Sequence, residues 1–302
     1  MHSPLTTKTT LVLGCLGLLM MLTGCKTVDS TAASKFAASV TNVKAQADTV
    51  LTAAAASTRA EGVAFVATQP TLSEADFAET PASDVIVEWD DLFSAIETYA
   101  LNLAALSSPN VTAPFDAAAT NLFDQFTQTA TRINANALSS TPARTAGISA
   151  AFAEMAHLIL EAKAQAAARK VAAQTDPQMG RLFTLLADEI GADHTSPCLR
   201  TTIYRTWNTQ KDALNGPFLR AADLGAKTAI AQQYETILAN RALEDASLAS
   251  LRNALLALAQ AHHALAQGDE VSAQAAMTFT ANELQRTQVL YSQFSADLKP
   301  KK

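Results

Sequence analysis

Between Ile230 and Leu265 the apolar residues recur in alternating steps of four and three. Ile230, Tyr234 and Ile237 open the series, and Leu248, Leu251, Leu255, Leu258 and Leu265 close it. Such spacing lays one narrow seam of a helix against neighbouring helices. Gly225 precedes the stretch and Gly268 follows it, so a helix of about 43 residues, roughly 64 Å long, is predicted. Three polar residues, Arg241, Glu244 and His262, share the stripe. Arg241 and Glu244 read in two ways. They form a paired polar layer that fixes register, or the seam turns there toward Leu238 and Leu243 as a straight helix drifts from a strict heptad. The turn is the expectation. His262 is expected as a neutral core residue with one hydrogen-bonded nitrogen.

The same pattern marks the other elements. Residues 30–68 carry Phe36, Val40, Val43, Ala47, Val50 and Ala54 in register, and 84–107 carry Ile86, Leu92, Ile96, Tyr99 and Leu103. Further helices are predicted over 112–139, 142–175, 177–192, 197–214 and 270–298. Thr141-Pro142, Asp176-Pro177 and Ser196-Pro197 read as starts, because the polar side chain caps an orphan N–H and proline removes another. No strand alternation and no solenoid-length repeat occurs. The short connections imply antiparallel neighbours. The fold class is therefore all-α: an elongated antiparallel bundle of seven or eight helices with coiled-coil-like packing over 30–302. A subdivision would fall in the 68–84 loop or near 175.

Composition supports this. Alanine makes up about a fifth of the 302 residues, and it has the highest helix propensity. The N-terminus is different. Lys8 precedes an apolar run from Leu11 to Leu22, too short to cross a bilayer, which needs about 20 residues. It reads as an export signal, residues 1–24, that is removed. Leu22-Thr23-Gly24-Cys25 resembles the bacterial lipobox, in which the cysteine receives lipid and becomes the new N-terminus. The resemblance covers the signal alone and implies a lipoprotein of the cell envelope, lipidated at Cys25. Lys26, in place of the aspartate that retains such proteins at the inner membrane, implies the outer membrane, facing the periplasm. Residues 25–29 would form a short tether, reaching at most about 17 Å.

Cys15 leaves with the signal and Cys25 is taken by lipid, so Cys198 remains alone and no intramolecular disulfide forms. It is expected to be buried rather than reactive, with His194 on a different face. Charge is uneven. No lysine or arginine lies between Arg59 and Arg132, an interval with eleven carboxylates, although the whole chain has a formal net charge of −6. Asp76, Glu79, Asp84, Glu88, Asp90 and Asp91 are its centre. They read as a solvated face or as a contact surface for a basic protein partner or divalent cations. They lack the spacing of a calcium loop. Nucleic acid is disfavoured, since no basic stripe could neutralise phosphates.

Candidate chemistry is sparse. Glu154-Met155-Ala156-His157, with Glu161 a turn later, offers carboxylate and imidazole on one helix face, as a bundle metal centre requires. The pair occurs once, however, and falls opposite Ile148 and Phe152, so a solvent-facing polar strip is expected. No nucleophile elbow, zinc-protease, phosphate-loop or C-x-x-C motif is present, and no cofactor is implied. The sequence thus points to a membrane-anchored, periplasm-facing lipoprotein acting as an envelope structural or interaction protein. The rivals are a helical module binding a small hydrophobic ligand or a metal, and a metalloenzyme using Glu154 and His157.

Overall fold

The computed structural model describes residues 30–66, 71, 82–107, 115–136, 142–162 and 168–297. Among these there is no strand. Nine helical segments follow one another: α1 (Ser30–Val66), α2 (Ala82–Ser107), α3 (Phe115–Asn136), α4 (Pro142–Ala162), α5 (Ala168–Ile190), α6 (Leu199–Ala213), α7 (Asn215–Arg220), α8 (Leu224–Gln267) and α9 (Glu270–Asp297). Eight are long. The six-residue α7 re-enters helix after an interruption at Leu214, and Asn215, Gly216 and Pro217 form its first half.

The 44-residue α8 is the element that α1, α5, α6, α7 and α9 pack on. Its start is fixed by Asp223, whose carboxylate accepts from the Ala226 backbone N–H at 2.8 Å. Its end is fixed by Gly268 in the left-handed region (φ 72°), with its N–H bonded to the Leu265 carbonyl. Glycine takes that conformation without a Cβ penalty. Packing partners arrange in two layers, α1–α2–α3 facing α8–α5–α4, with α9 closing the edge against α8 and α1. α6 lies across α8 and α1. Leu248, Leu251, Leu255, Leu258 and Leu265 are buried as the seam requires, and Ala254, Ala257, Ala261 and Ala264 lie buried among them. Alanine at these positions lets the axes approach closely, and Ala33, Ala37, Ala47 and Ala54 serve α1 in the same way. Far from this seam, Phe126 of α3 and Phe152 of α4 join their layers with rings 5.0 Å apart.

Three expectations need correction. The seam on α8 does not begin at Ile230: Ile230 and Tyr234 are only half-buried, and full burial starts at Ile237. The Asp176-Pro177 pair does not start a helix, because Pro177 lies inside α5. Proline there forgoes one helical hydrogen bond, and the Asp176 carboxylate serves two histidines instead of a backbone N–H. Finally, α6 is capped by Cys198 rather than Ser196. The Cys198 Sγ accepts from the Thr201 N–H at 3.4 Å, while the Ser196 carbonyl accepts from the Thr201 hydroxyl at 2.7 Å.

Candidate functional site

The polar residue that the α8 seam carries near its end, His262, is fully buried where α1, α2, α5 and α8 meet. Both of its nitrogens are engaged. Nε2 lies 2.7 Å from the Tyr99 hydroxyl, and Nδ1 lies 3.2 Å from Asp176 Oδ1. The rings of Phe36 and Tyr99 hold the imidazole at centroid distances of 5.6 and 5.7 Å. The Tyr99 hydroxyl also meets Thr175 Oγ1 at 2.6 Å. On the outside, the other Asp176 oxygen meets Nδ1 of the exposed His263 at 2.7 Å.

The protons along this line can be placed. Burial pushes the His262 pKa down, so the ring is neutral, and burial pushes the Tyr99 phenol up, so it keeps its proton. Burial opposes ionisation of Asp176, but hydrogen bonds from His262 and His263 outweigh it and hold the carboxyl below its ordinary value. A neutral His262 facing a carboxylate must donate from Nδ1. Its Nε2 then accepts from Tyr99, and the Thr175 hydroxyl donates to the tyrosine oxygen, shared with the Val171 carbonyl 2.8 Å away. The result is a one-directional chain, Thr175 to Tyr99 to His262 to Asp176, which His263 meets from solvent.

Asp176 and His263 line a cleft of about 860 Å³ between α5, α8 and α9, with Arg181, Asp269 and Phe279 among the other walls. With Nδ1 engaged by Asp176, the exposed His263 ring turns Nε2 to other partners. That nitrogen can form a hydrogen bond with a molecule in the cleft. No hydroxyl of the lining is poised as a nucleophile. Thr184 donates to the Gly180 carbonyl at 2.8 Å, and Ser272 donates to Asp269 at 2.6 Å, where it belongs to the α9 start. Among the described residues no group of three histidine, cysteine, aspartate or glutamate side chains could hold a metal ion.

A second buried polar centre lies 18 residues earlier on α8. Glu244 is buried and accepts hydrogen bonds from Trp207 Nε1 of α6 and from the Ser57 hydroxyl of α1, the latter at 3.3 Å. Burial raises its pKa to about 7 against the opposing effect of those two donors. The seam therefore does not turn away from Glu244, because Leu238 and Leu243 are only half-buried. Arg241 does not pair with it either: its guanidinium reaches Asn208 Oδ1 at 2.5 Å and lies 4.7 Å from the centre of the Tyr204 ring. The next carboxylate, Asp245, is held by Arg200 in a two-bond pair at 2.7 and 2.8 Å, with His194 at 3.4 Å.

The remaining sequence candidates are scattered. Glu154 and His157 are exposed on α4, opposite the buried Ile148 and Phe152, and the His157 ring meets the edge of Phe123. The side chain of Glu161 lies outside the described residues, as do those of Asp84 and Glu88. Cys25, Asp76 and Glu79 lie outside them altogether. Asp90 is engaged by Lys44 of α1 at 2.5 Å, and Asp91 by Arg132 of α3 at 2.5 Å. Part of the acidic block is thus matched by cations of the bundle itself. Cys198 is buried, its thiol directed at the Asp193 carbonyl at 3.4 Å. Gly191, at φ 98°, passes so close that a Cβ there would lie 2.2 Å from the sulfur.

Sequence reasoning singled out His262 and missed its partners. Tyr99 read as core, and Asp176 read as a cap. The available signal was that a histidine on a buried seam needs two partners, and Tyr99 occupies the seam of another core helix. Comparison of the chain with protein-family models, curated proteins and solved structures gives no match.

Proposed function

We propose that this chain is a lipid-anchored protein of the bacterial envelope that faces the periplasm and acts through protein contact. One observation supports the reading beyond the Cys25 motif: where α1 begins. Ser30 stands five residues after Cys25, so an anchor there would hold the bundle by the α1 N-terminal end. At that end Lys35 bonds Gln274 and Phe36 packs on His262. From His262 back to Leu224, α8 runs about 57 Å at 1.5 Å per residue. Phe218, Leu219 and Leu224 are exposed at the far end, the latter two at 81% and 79%. The bundle would then act as a spacer, with its cleft near the membrane and an apolar tip held away from it. No described helix is long and apolar enough to cross a membrane.

The test is metabolic labelling with a clickable fatty acid. The wild type should carry label and Cys25→Ala should carry none, remaining as precursor or as an unlipidated product. Equal labelling and equal mass in the two would refute the reading. A second reading, a module that binds a small molecule, is favoured by the cleft beside His263. Native mass spectrometry of gently purified protein tests it, with a copurifying small molecule lost in His263→Ala as the supporting result.

A further inference from the structure

α1 and α9 run side by side in the same direction. Lys35 bonds Gln274, a separation of 239 in sequence. Asn42, Gln46 and Thr49 of α1 and Ala281, Gln285 and Gln288 of α9 line a groove of about 350 Å³. The buried Leu284 and the exposed Ala45 complete its lining. Every polar side chain in the lining is a carboxamide or a hydroxyl, and none is ionisable.

The groove contains one unmet group. Gln46 is 5% exposed, and its Nε2 is buried with no hydrogen-bond partner. A buried donor left unmet carries a desolvation penalty that a well-placed acceptor removes. The Thr49 hydroxyl proton goes to the Ala45 carbonyl at 3.0 Å, so its oxygen faces the groove as an acceptor. A secondary amide answers both requirements, with its carbonyl for Gln46 and its N–H for Thr49. Because it carries donor and acceptor together, it also suits the Gln46 carboxamide in either orientation of that group.

We infer that the α1–α9 groove is a binding site for a neutral N-acetylated amino sugar, with the acetamido group seated on Gln46. Neutrality follows from a lining without a counter-charge. A sugar fits better than a peptide because Asn42, Gln285 and Gln288 are exposed carboxamides suited to ring hydroxyls. The apolar lining of Ala45, Ala281 and Leu284 offers no side-chain pocket of the kind that peptide recognition uses. The lining from Asn42 to Thr49 covers about 10 Å of helix, room for one or two sugar rings. This inference does not depend on the lipid anchor or on the cleft at His263.

The test is titration of the purified full chain with di-N-acetylchitobiose, followed by NMR of the glutamine side-chain amides. The Gln46 and Gln285 NH₂ signals should shift and saturate. Cellobiose, the same disaccharide framework without acetamido groups, should bind at least about tenfold more weakly, the loss expected for one or two neutral hydrogen bonds. Gln46→Leu should lose a similar factor. It should also melt no lower than wild type without ligand, since it removes an unmet buried donor. Should that variant fail to fold, Gln285→Ala, at an exposed position, should still weaken binding severalfold. The inference is overturned by absence of a saturable shift, by equal binding of cellobiose, or by unchanged affinity in the folded variants. Tighter binding of the peptide analogue N-acetyl-alanine-N′-methylamide than of the sugar would overturn the sugar assignment.

Discussion

Replacing Glu244 by glutamine removes a titration from the junction of α1, α6 and α8. In the folded chain this carboxyl is buried against Trp207 and Ser57 and its pKa rises from an ordinary 4.5 to about 7. The folded state therefore holds the proton more tightly than the unfolded chain does. The stability this confers is complete below about pH 4.5 and is lost progressively as pH rises to about 7. A shift of that size corresponds to roughly 3 kcal/mol. His262 acts in the opposite sense: its depressed pKa costs stability as pH falls below the ordinary histidine value. The two are separated by comparing wild type with Glu244→Gln, which shares His262. Urea denaturation at pH 4.5 should give similar stabilities. At pH 8 the glutamine variant should be more stable, by up to about 3 kcal/mol less whatever its amide loses in hydrogen-bond geometry. Trp207 provides a second readout, because its indole donates directly to the carboxylate. Its emission should titrate near pH 7 in wild type and be flat in the variant. A stability difference independent of pH, or a titrating emission that survives in Glu244→Gln, would refute the reasoning.

Leu255→Ala on α8 should cost about 2–5 kcal/mol by thermal or denaturant melting, since Leu255 is fully buried, whereas Gln260→Ala at an exposed position should be near neutral. Tyr99→Phe should cost about 1–3 kcal/mol, because it removes the donor to His262 Nε2 and the partner of Thr175; His262 should then titrate differently by NMR. Gly191→Ala should destabilise by more than about 1 kcal/mol, through both its φ of 98° and the contact with Cys198. Cys198→Ala in the same chain should relieve only the clash with the sulfur, because the Cys198 Cβ, 2.7 Å from the added carbon, remains; full recovery would show that neither that contact nor the backbone conformation carries a cost.

The helices were legible where periodicity and end signals agreed. The α8 seam, with Gly268 behind it, located a helix end correctly because a left-handed cap demands glycine and little else competes for the position. Pro142 is the first residue of α4, the position the sequence suggests. Pro177 carried the same signature and misled. A cap residue can be recruited by tertiary partners, and Asp176 is worth more to two histidines than to a backbone N–H. Glu244 misled for a related reason. A carboxylate on a seam argues for rotation of the seam, unless an indole N–H from a distant helix arrives to satisfy it, and no local pattern announces Trp207. The α1–α9 groove was invisible from sequence, because Gln46 interrupts no motif and the other wall is built by α9, at the far end of the chain.

Those separations bear on the order in which the chain can assemble. Phe36 waits for His262, Ser57 for Glu244 across 187 residues, and Tyr99 for His262 across 163. α1 is made first, yet the helix that covers its inner face is among the last to appear, and only α2 can shelter it early. Contacts of such high sequence separation delay closure and leave apolar surface open meanwhile. A chain emerging from its N-terminus would thus present Phe36, Val40 and Val43 unprotected until α8, which ends at Gln267, had been made. Synthesis or export from that end would require either a holding chaperone for α1 or a transient α1–α2 pair stable enough to wait.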